Sequence, residues 1–268
     1  GLAFLLFLLL RPAAPRPLPL AASKDEIAAI IAGAQRADAN LAVIGDKQLL
    51  VADDKSAFLM FQVQGRSWIA MGDPVGPMVA WAPLLWRFRE LCDRHNGWPA
   101  LYQISAACLP FALDMGLALV KLGEEAEVDL AGFSLEGPAR RDLRQAVNKV
   151  EREGASFEII PASGVPTILD ELQAVSDAWM LDKSAYEKGF SAGRFTPDYV
   201  SHFDCAAVRS AGRIVAFANI WRAPAASVIS IDLMRYSKDA PKGVMDYLFA
   251  KIMLWGRAIG YRRFNLGM

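Results

Sequence analysis

The sequence predicts a mixed α/β chain of the α+β kind, built from two tandem copies of one unit. Three observations lead there. Apolar runs of strand length alternate with amphipathic helical segments along the chain. Its 268 residues, 54% of them hydrophobic, suffice for one large core or two medium ones. An order of hairpin, helix and strand recurs after roughly 150 residues. Gly65-Arg66 and Gly212-Arg213 mark the hairpins, Gly97 and Gly260 end the helices, and LYQI and RRFNL are the strands that follow.

The elements follow in order. Leu2 to Leu10 is almost purely apolar and ends at Arg11. That run is shorter than the roughly 20 residues that cross a bilayer. It reads either as the tail of a transmembrane helix with its positive flank on the cytoplasmic side, or as a buried element of a soluble domain. The Pro-rich RPAAPRPLPL is a stiff linker. Residues 1–22 are therefore expected to be the end of a transmembrane helix and a linker. The first unit is expected over 23–135. Ser23 and Glu26 make a capping box for a helix over 24–37. Strands are predicted at LAVI (41–44), QLLVA (48–52), AFLMFQVQ (57–64) and SWIAMG (67–72), then the GDPVGP loop (72–77). A helix over 82–95 leads to a strand over 100–105 and a short helix over 109–115. Strands at 117–122 and 126–130 complete this half. The second unit is expected over 136–268. Gly137-Pro138 starts a helix that runs to Glu153. Further expectations are a strand over 157–161, a helix over 165–183 and a polar, Gly-rich loop over 187–203. Strands over 205–210, 213–221 and 227–235, a helix over 243–259 and a strand over 262–266 finish the chain.

Charge and cysteine usage narrow the chemistry. Lys plus Arg and Asp plus Glu are 29 each. Net charge thus gives no sign of a nucleic-acid partner, although a local basic face remains open. Cys92 and His95 lie three apart with no second pair, so neither a metal site nor a cofactor is expected. Three sparse cysteines suit reduced thiols.

Five stretches can carry chemistry. In SVISIDLMRY (227–236), Asp232 faces opposite to Ile229, Ile231 and Leu233 by strand parity. Asp232 can orient or deprotonate a hydroxyl or an amine, and Arg235 can hold a phosphate. Their parities differ, so they share a site only if the strand bends between them; a strand-end salt bridge is the alternative. In the helix PARRDLRQAVNKVEREG (138–154), Arg141, Arg144 and Arg152 fall on a face away from Leu143, Val147 and Val150. That row suits a phosphate backbone or is simply a solvated face. KLGEEAEVDL (121–130) crowds carboxylates, Glu124 and Glu125 among them, that can bind an amino group or form a polar turn. EKGFSAGRF (187–195), with Lys188, reads as a segment over a site or as a surface loop. Lys242 precedes a helix N-terminus and can meet an anion. Acyl-CoA transferases of the GNAT superfamily place a glycine-rich pyrophosphate loop there, whereas this chain has the single Gly243.

Taken together, GDPVGP, LYQIS, KLGEEAEVDL, LRQAVNKVEREG, EKGFSAGRF, IVAFANIW, ISIDLMRY, MDYLF and GYRRFNLGM resemble one family in order from about residue 40 onward: the phosphatidylglycerol lysyltransferases of the multiple peptide resistance type. The resemblance implies two tandem GNAT-like acyltransferase folds. It implies transfer of an amino acid, lysine in preference to alanine, from aminoacyl-tRNA to phosphatidylglycerol, which lowers the negative charge of the membrane. It implies a flippase domain before this one in the same protein, and a place on the cytosolic side of the bacterial inner membrane. Self-association as a homodimer is a further expectation. Family members continue past this C-terminal stretch, so the last strands of the second fold are expected beyond Met268. Within that reaction Asp232 and Arg235 are the expected catalytic pair. Glu124, Glu125, Lys188 and Lys242 are expected substrate contacts, and Arg141, Arg144 and Arg152 expected tRNA contacts. Two other readings are an acyl-CoA-dependent GNAT enzyme and a non-catalytic cytosolic domain of a transporter.

Overall fold

A computed structural model describes residues 22–184, 186–187 and 189–267. The apolar run over 2–10 and nearly all of the Pro-rich linker lie outside them, as does Lys188. Among the described residues no helix is long and apolar enough to cross a membrane. The chain forms two compact units. One takes residues up to Ile31 together with Gly45–Lys121; the other takes Ala32–Ile44 and Leu122 onward.

In the first unit, helix α1 (Lys24–Ala32) opens on the expected box. Ser23 Oγ accepts the Glu26 N–H at 3.2 Å and Glu26 Oε2 accepts the Ser23 N–H at 2.7 Å. The helix stops before Gly33, short of Ala37. Strands β1 (Gln48–Val51), β2 (Phe58–Gln64) and β3 (Ser67–Met71) form an antiparallel meander. Helix α2 (Trp81–Arg94) follows, then β4 (Trp98–Tyr102), which pairs in parallel with β3. The sheet order is β1-β2-β3-β4. Leu84, Leu85, Phe88 and Cys92 of α2 pack on Leu59, Phe61, Trp68 and Ala70 of the sheet. Their i, i+1, i+4, i+8 spacing is the stripe that the sequence shows. The short helix α3 (Leu109–Asp114) adds Phe111 to that core.

The second unit begins with a 3₁₀ segment, Ala37–Ile44, where a strand over 41–44 was expected. A four-residue apolar run does not distinguish a strand from a buried helical turn. Here Asn40 Nδ2 bonds its own turn through Ala37 O (2.8 Å) and reaches Arg222 O (3.2 Å). Residues 117–122 are not a strand either; Val120 and Leu122 are exposed. The expected strand at 126–130 exists as β5 (Glu127–Asp129), but it pairs with the last strand of the chain. Helix α4 (Arg141–Arg152), β6 (Ser156–Ile160), α5 (Leu169–Lys183) and the single-turn α6 (Pro197–Val200) lead into the main sheet. Strands β7 (Asp204–Ser210), β8 (Arg213–Ala223) and β9 (Val228–Tyr236) are antiparallel neighbours. Helix α7 (Val244–Ala258) then returns to β10 (Arg263–Asn265), parallel to β9. The sheet order is β5-β10-β9-β8-β7-β6. Helices α4 and α7 cover one face through Val147, Val150, Tyr247, Leu248 and Ile252. The approach of α7 to β9 is close enough that a Cβ on Gly256 would stand 2.3 Å from Ile229 Cδ1.

The internal echo is real but shifted. Each unit has a three-stranded meander, a helix, and a strand parallel to the third: β1-β2-β3-α2-β4 and β7-β8-β9-α7-β10. Gly65-Arg66 joins the second and third meander strands, whereas Gly212-Arg213 joins the first and second. The two Gly-Arg turns are therefore not equivalent positions. This is a mixed α/β arrangement of two sheets, each with helices packed on it.

Candidate active site

The candidate site is built on a fault in β9. Ile220 pairs with Ile231, but Ala218 pairs with Met234. Asp232 and Leu233 thus stand opposite Asn219 alone, which is a β-bulge. The extra residue reverses side-chain parity along the strand. Before it, Ile229 and Ile231 point into the α4–α7 core; after it, Tyr236 does. Asp232 and Arg235, three residues apart, therefore share the other face, beside Phe217 and Trp221 of β8. The bend that their shared use requires is present.

Asn219 supports the bulge. It is the one polar residue in a run, Ile214 to Trp221, that is buried throughout. Its Oδ1 accepts the Leu233 N–H at 2.7 Å and occupies the place of the missing ladder partner. Its Nδ2 is buried and has no hydrogen-bond partner among the described residues.

Two elements reach Asp232 from outside the strand. The 187–195 segment brings Gly193, whose N–H donates to Asp232 Oδ1 at 2.7 Å. Thr196 caps α6 by accepting the Tyr199 N–H at 3.3 Å, with Pro197 at the first turn. That cap fixes Tyr199, which is 2% exposed. Its hydroxyl donates to Asp232 Oδ2 at 2.6 Å and accepts from Trp221 Nε1 at 3.1 Å. Burial, then the neighbouring Asp232 charge and hydrogen bond, push the Tyr199 phenol well above the ordinary tyrosine range. It is a proton donor at neutral pH, never a phenolate. Asp232 is thus held at both oxygens and remains partly exposed.

Arg235 lies deeper, 4% exposed. Its two Nη atoms form a fork onto Glu187, at 2.8 and 2.9 Å, and Nη1 also meets Ser176 Oγ of α5. Its guanidinium lies 5.5 Å from the Trp179 ring centre and 5.9 Å from that of Phe195. Asp232 and Arg235 together anchor the 187–199 stretch, one through Gly193 and Tyr199, the other through Glu187.

The other expected contacts are spread over the unit. Glu125 accepts from Asn265 Nδ2 at 2.8 Å and pairs with Arg36 at 3.3 Å, beside the β5–β10 edge; Glu124 is exposed next to it. Lys242 is exposed just before α7. On α4, Arg141 and Arg152 are exposed with Gln145 and Asn148 between them, at spacings of four, three and four. Arg144 turns inward instead and donates to Leu135 O (2.6 Å) and Gly137 O (3.1 Å). Sequence reasoning missed Tyr199, Trp221, Asn219 and Glu187. Signals existed for two of them: the lone Asn in IVAFANIW, and the Thr-Pro helix start that positions Tyr199.

Comparison with known proteins places this architecture. A family model described as "Phosphatidylglycerol lysyltransferase, C-terminal" matches residues 29–268. The phosphatidylglycerol lysyltransferase of Bacillus subtilis (strain 168) is 35% identical over 269 residues, covering 100% of this chain and 31% of that protein. The chain thus spans about a third of the length of that relative. Among solved structures, the C-terminal DUF2156 domain of a protein assigned as a lysylphosphatidylglycerol synthetase, from Agrobacterium fabrum, superposes with a TM-score of 0.88. It is 44% identical, over 91% of this chain and 76% of that one. The L-PGS of Bacillus licheniformis gives a TM-score of 0.85 at 37% identity, over 92% of this chain and 78% of that one. The chain belongs to the phosphatidylglycerol lysyltransferase C-terminal family.

Proposed function

We propose that this chain catalyses aminoacyl transfer from aminoacyl-tRNA to phosphatidylglycerol at the cytosolic face of a bacterial inner membrane. The single observation that carries the reading is the Asp232 carboxylate, fixed at both oxygens yet partly exposed, in a chain of this family. The reaction exchanges one ester for another. A glycerol hydroxyl of the lipid attacks the aminoacyl carbonyl, the bond to the terminal ribose breaks, and the ribose oxygen leaves with a proton. Asp232 accepts a hydrogen bond from the attacking hydroxyl or from the donor's ammonium group, and so holds it for attack. Arg235 is the cation for a lipid or tRNA phosphate, a role that requires Glu187 to release its fork. Glu124 and Glu125 are second candidates for the ammonium group. Lys188 and Lys242 are candidates for phosphate, and Arg141, Arg144 and Arg152 for the tRNA backbone, with Arg144 the least accessible. Lysine is the favoured amino acid and alanine the alternative. The product lipid carries less negative charge than its precursor. A preceding flippase domain and a homodimer are the proposed partners within the assembly.

The test supplies tRNA charged with radiolabelled lysine or alanine to phosphatidylglycerol vesicles and the full chain. The expected result is RNase-sensitive label in the lipid, lost in Asp232→Asn while the thermal unfolding curve stays cooperative. Full transfer by a folded Asp232→Asn protein would remove Asp232 from the mechanism. No transfer of either amino acid would remove the reaction.

A further inference from the structure

Tyr199 makes hydrogen bonds in a direction that the surrounding groups dictate. A tyrosine hydroxyl has one proton to give and two lone pairs to receive. An indole N–H can only donate, so the 3.1 Å bond from Trp221 takes one lone pair of the Tyr199 oxygen. The Oδ1 of Asn219 is committed to the Leu233 N–H, and its buried Nδ2 has no hydrogen-bond partner among the described residues. The remaining neighbour is Asp232, which as a carboxylate can only accept, at 2.6 Å. The Gly193 N–H meets its other oxygen at 2.7 Å. The bulge that puts Arg235 on the face of Asp232 is the same bulge that Asn219 fills.

We propose that Tyr199 is a positioning residue for the transfer reaction: the Trp221 N–H takes a lone pair of its hydroxyl so that its single proton points at Asp232, and with the Gly193 N–H it sets the carboxylate's orientation toward substrate. A carboxylate has about four lone-pair sites. Tyr199 and Gly193 each bind one oxygen and so fix the plane in which the carboxylate lies. A hydroxyl or ammonium group approaching Asp232 therefore meets acceptors whose direction is set before it arrives, which is what near-attack geometry needs. The inference rests on the transferase reading for its kinetic consequence, but the hydrogen-bond relay itself can be tested without turnover.

The experiment uses Tyr199→Phe, which keeps the ring and removes only the hydroxyl, with Trp221→Phe as the variant one step upstream. In the lipid-aminoacylation assay, Tyr199→Phe is expected to lower kcat by about tenfold or more, with KM for both substrates within about threefold of wild type. Trp221→Phe should fall less. The double variant should be no worse than Tyr199→Phe, because both substitutions break one chain. In parallel, urea unfolding of Tyr199→Phe, Asp232→Asn and their double variant should show strongly non-additive midpoints. Additive midpoints overturn the relay. Coupled midpoints with an unchanged kcat in Tyr199→Phe overturn the positioning role. A wild-type chain that transfers nothing sinks the transferase reading and with it the positioning role, while the unfolding cycle still decides the relay. If Tyr199→Phe does not fold, the Trp221→Phe kinetics decide in its place, and an unchanged kcat there overturns the proposal.

Discussion

Gly193→Ala tests the site with a single methyl group. A Cβ at position 193 would stand 1.7 Å from Asp232 Oδ2 and 2.7 Å from Tyr199 Cε1. Non-bonded carbon and oxygen need about 3.5 Å, so the segment or the carboxylate must give by roughly 2 Å. Neither can do so freely. Asp232 is held by Tyr199, and the segment is held at Glu187 by Arg235. The segment is the softer of the two, and its retreat breaks the Gly193 N–H bond to Asp232. Hydrogen bonds to charged groups contribute about 1.5–3 kcal/mol, and overpacking adds about 1–3 kcal/mol where the chain cannot move. Some of each is relieved by local shift, so global stability should drop by about 1–3 kcal/mol. Activity should fall further, because a displacement near 1 Å at a reacting group can cost about a hundredfold in rate. Urea unfolding and the lipid-aminoacylation assay, run on the same preparation, measure both. A Gly193→Ala protein with wild-type stability and wild-type turnover would show that Asp232 is not confined as described.

Three further outcomes draw on both units. Glu187→Ala leaves the Arg235 guanidinium buried without its fork; the loss should be about 3 kcal/mol, toward the low end for a buried pair because Glu187 is itself 30% exposed, and denaturant midpoints measure it. Burial pushes the thiols of Cys92, Cys108 and Cys205 up to about 12. At pH 8 roughly one in ten thousand of each is then thiolate. Ellman's reagent should find almost no reactive thiol in the native protein at pH 8 and three after denaturation, and prompt native labelling would contradict the burial. Reversing two exposed cations on α4, Arg141→Glu with Arg152→Glu, should weaken tRNA binding and flatten its salt dependence by about two ion equivalents or more. An unchanged slope in a filter-binding titration would place the tRNA elsewhere.

Much of the architecture was legible because its signals are local. The Ser23–Glu26 box, the α2 stripe and the strands β4 and β10 that follow the Gly-ended helices each follow from spacing within a few residues. The misreadings share a cause as well. LAVI and the apolar stretch over 117–122 are too short to show a period, and tertiary placement decided them. Residues 127–129 formed the expected strand, but strand partners are chosen by the fold, and β5 found β10 about 135 residues away along the chain.

The site was half legible for a sharper reason. Strand parity assigns Asp232 and Arg235 to opposite faces, and parity is a rule about unbroken ladders. One added residue in β9 inverts it from that point on. No composition or periodicity within ISIDLMRY announces the insertion, since the apolar residues on either side still alternate. The trace of it is on the partner strand, where one Asn stands among eight consecutive buried residues. An Asn inside such a run is costly unless its amide has work to do, and the Leu233 N–H freed by the bulge supplies that work. A buried polar residue in an apolar strand is therefore the sequence-level clue that the neighbouring strand's parity should not be trusted, and that the carboxylate beside it shares a face with the cation three residues on.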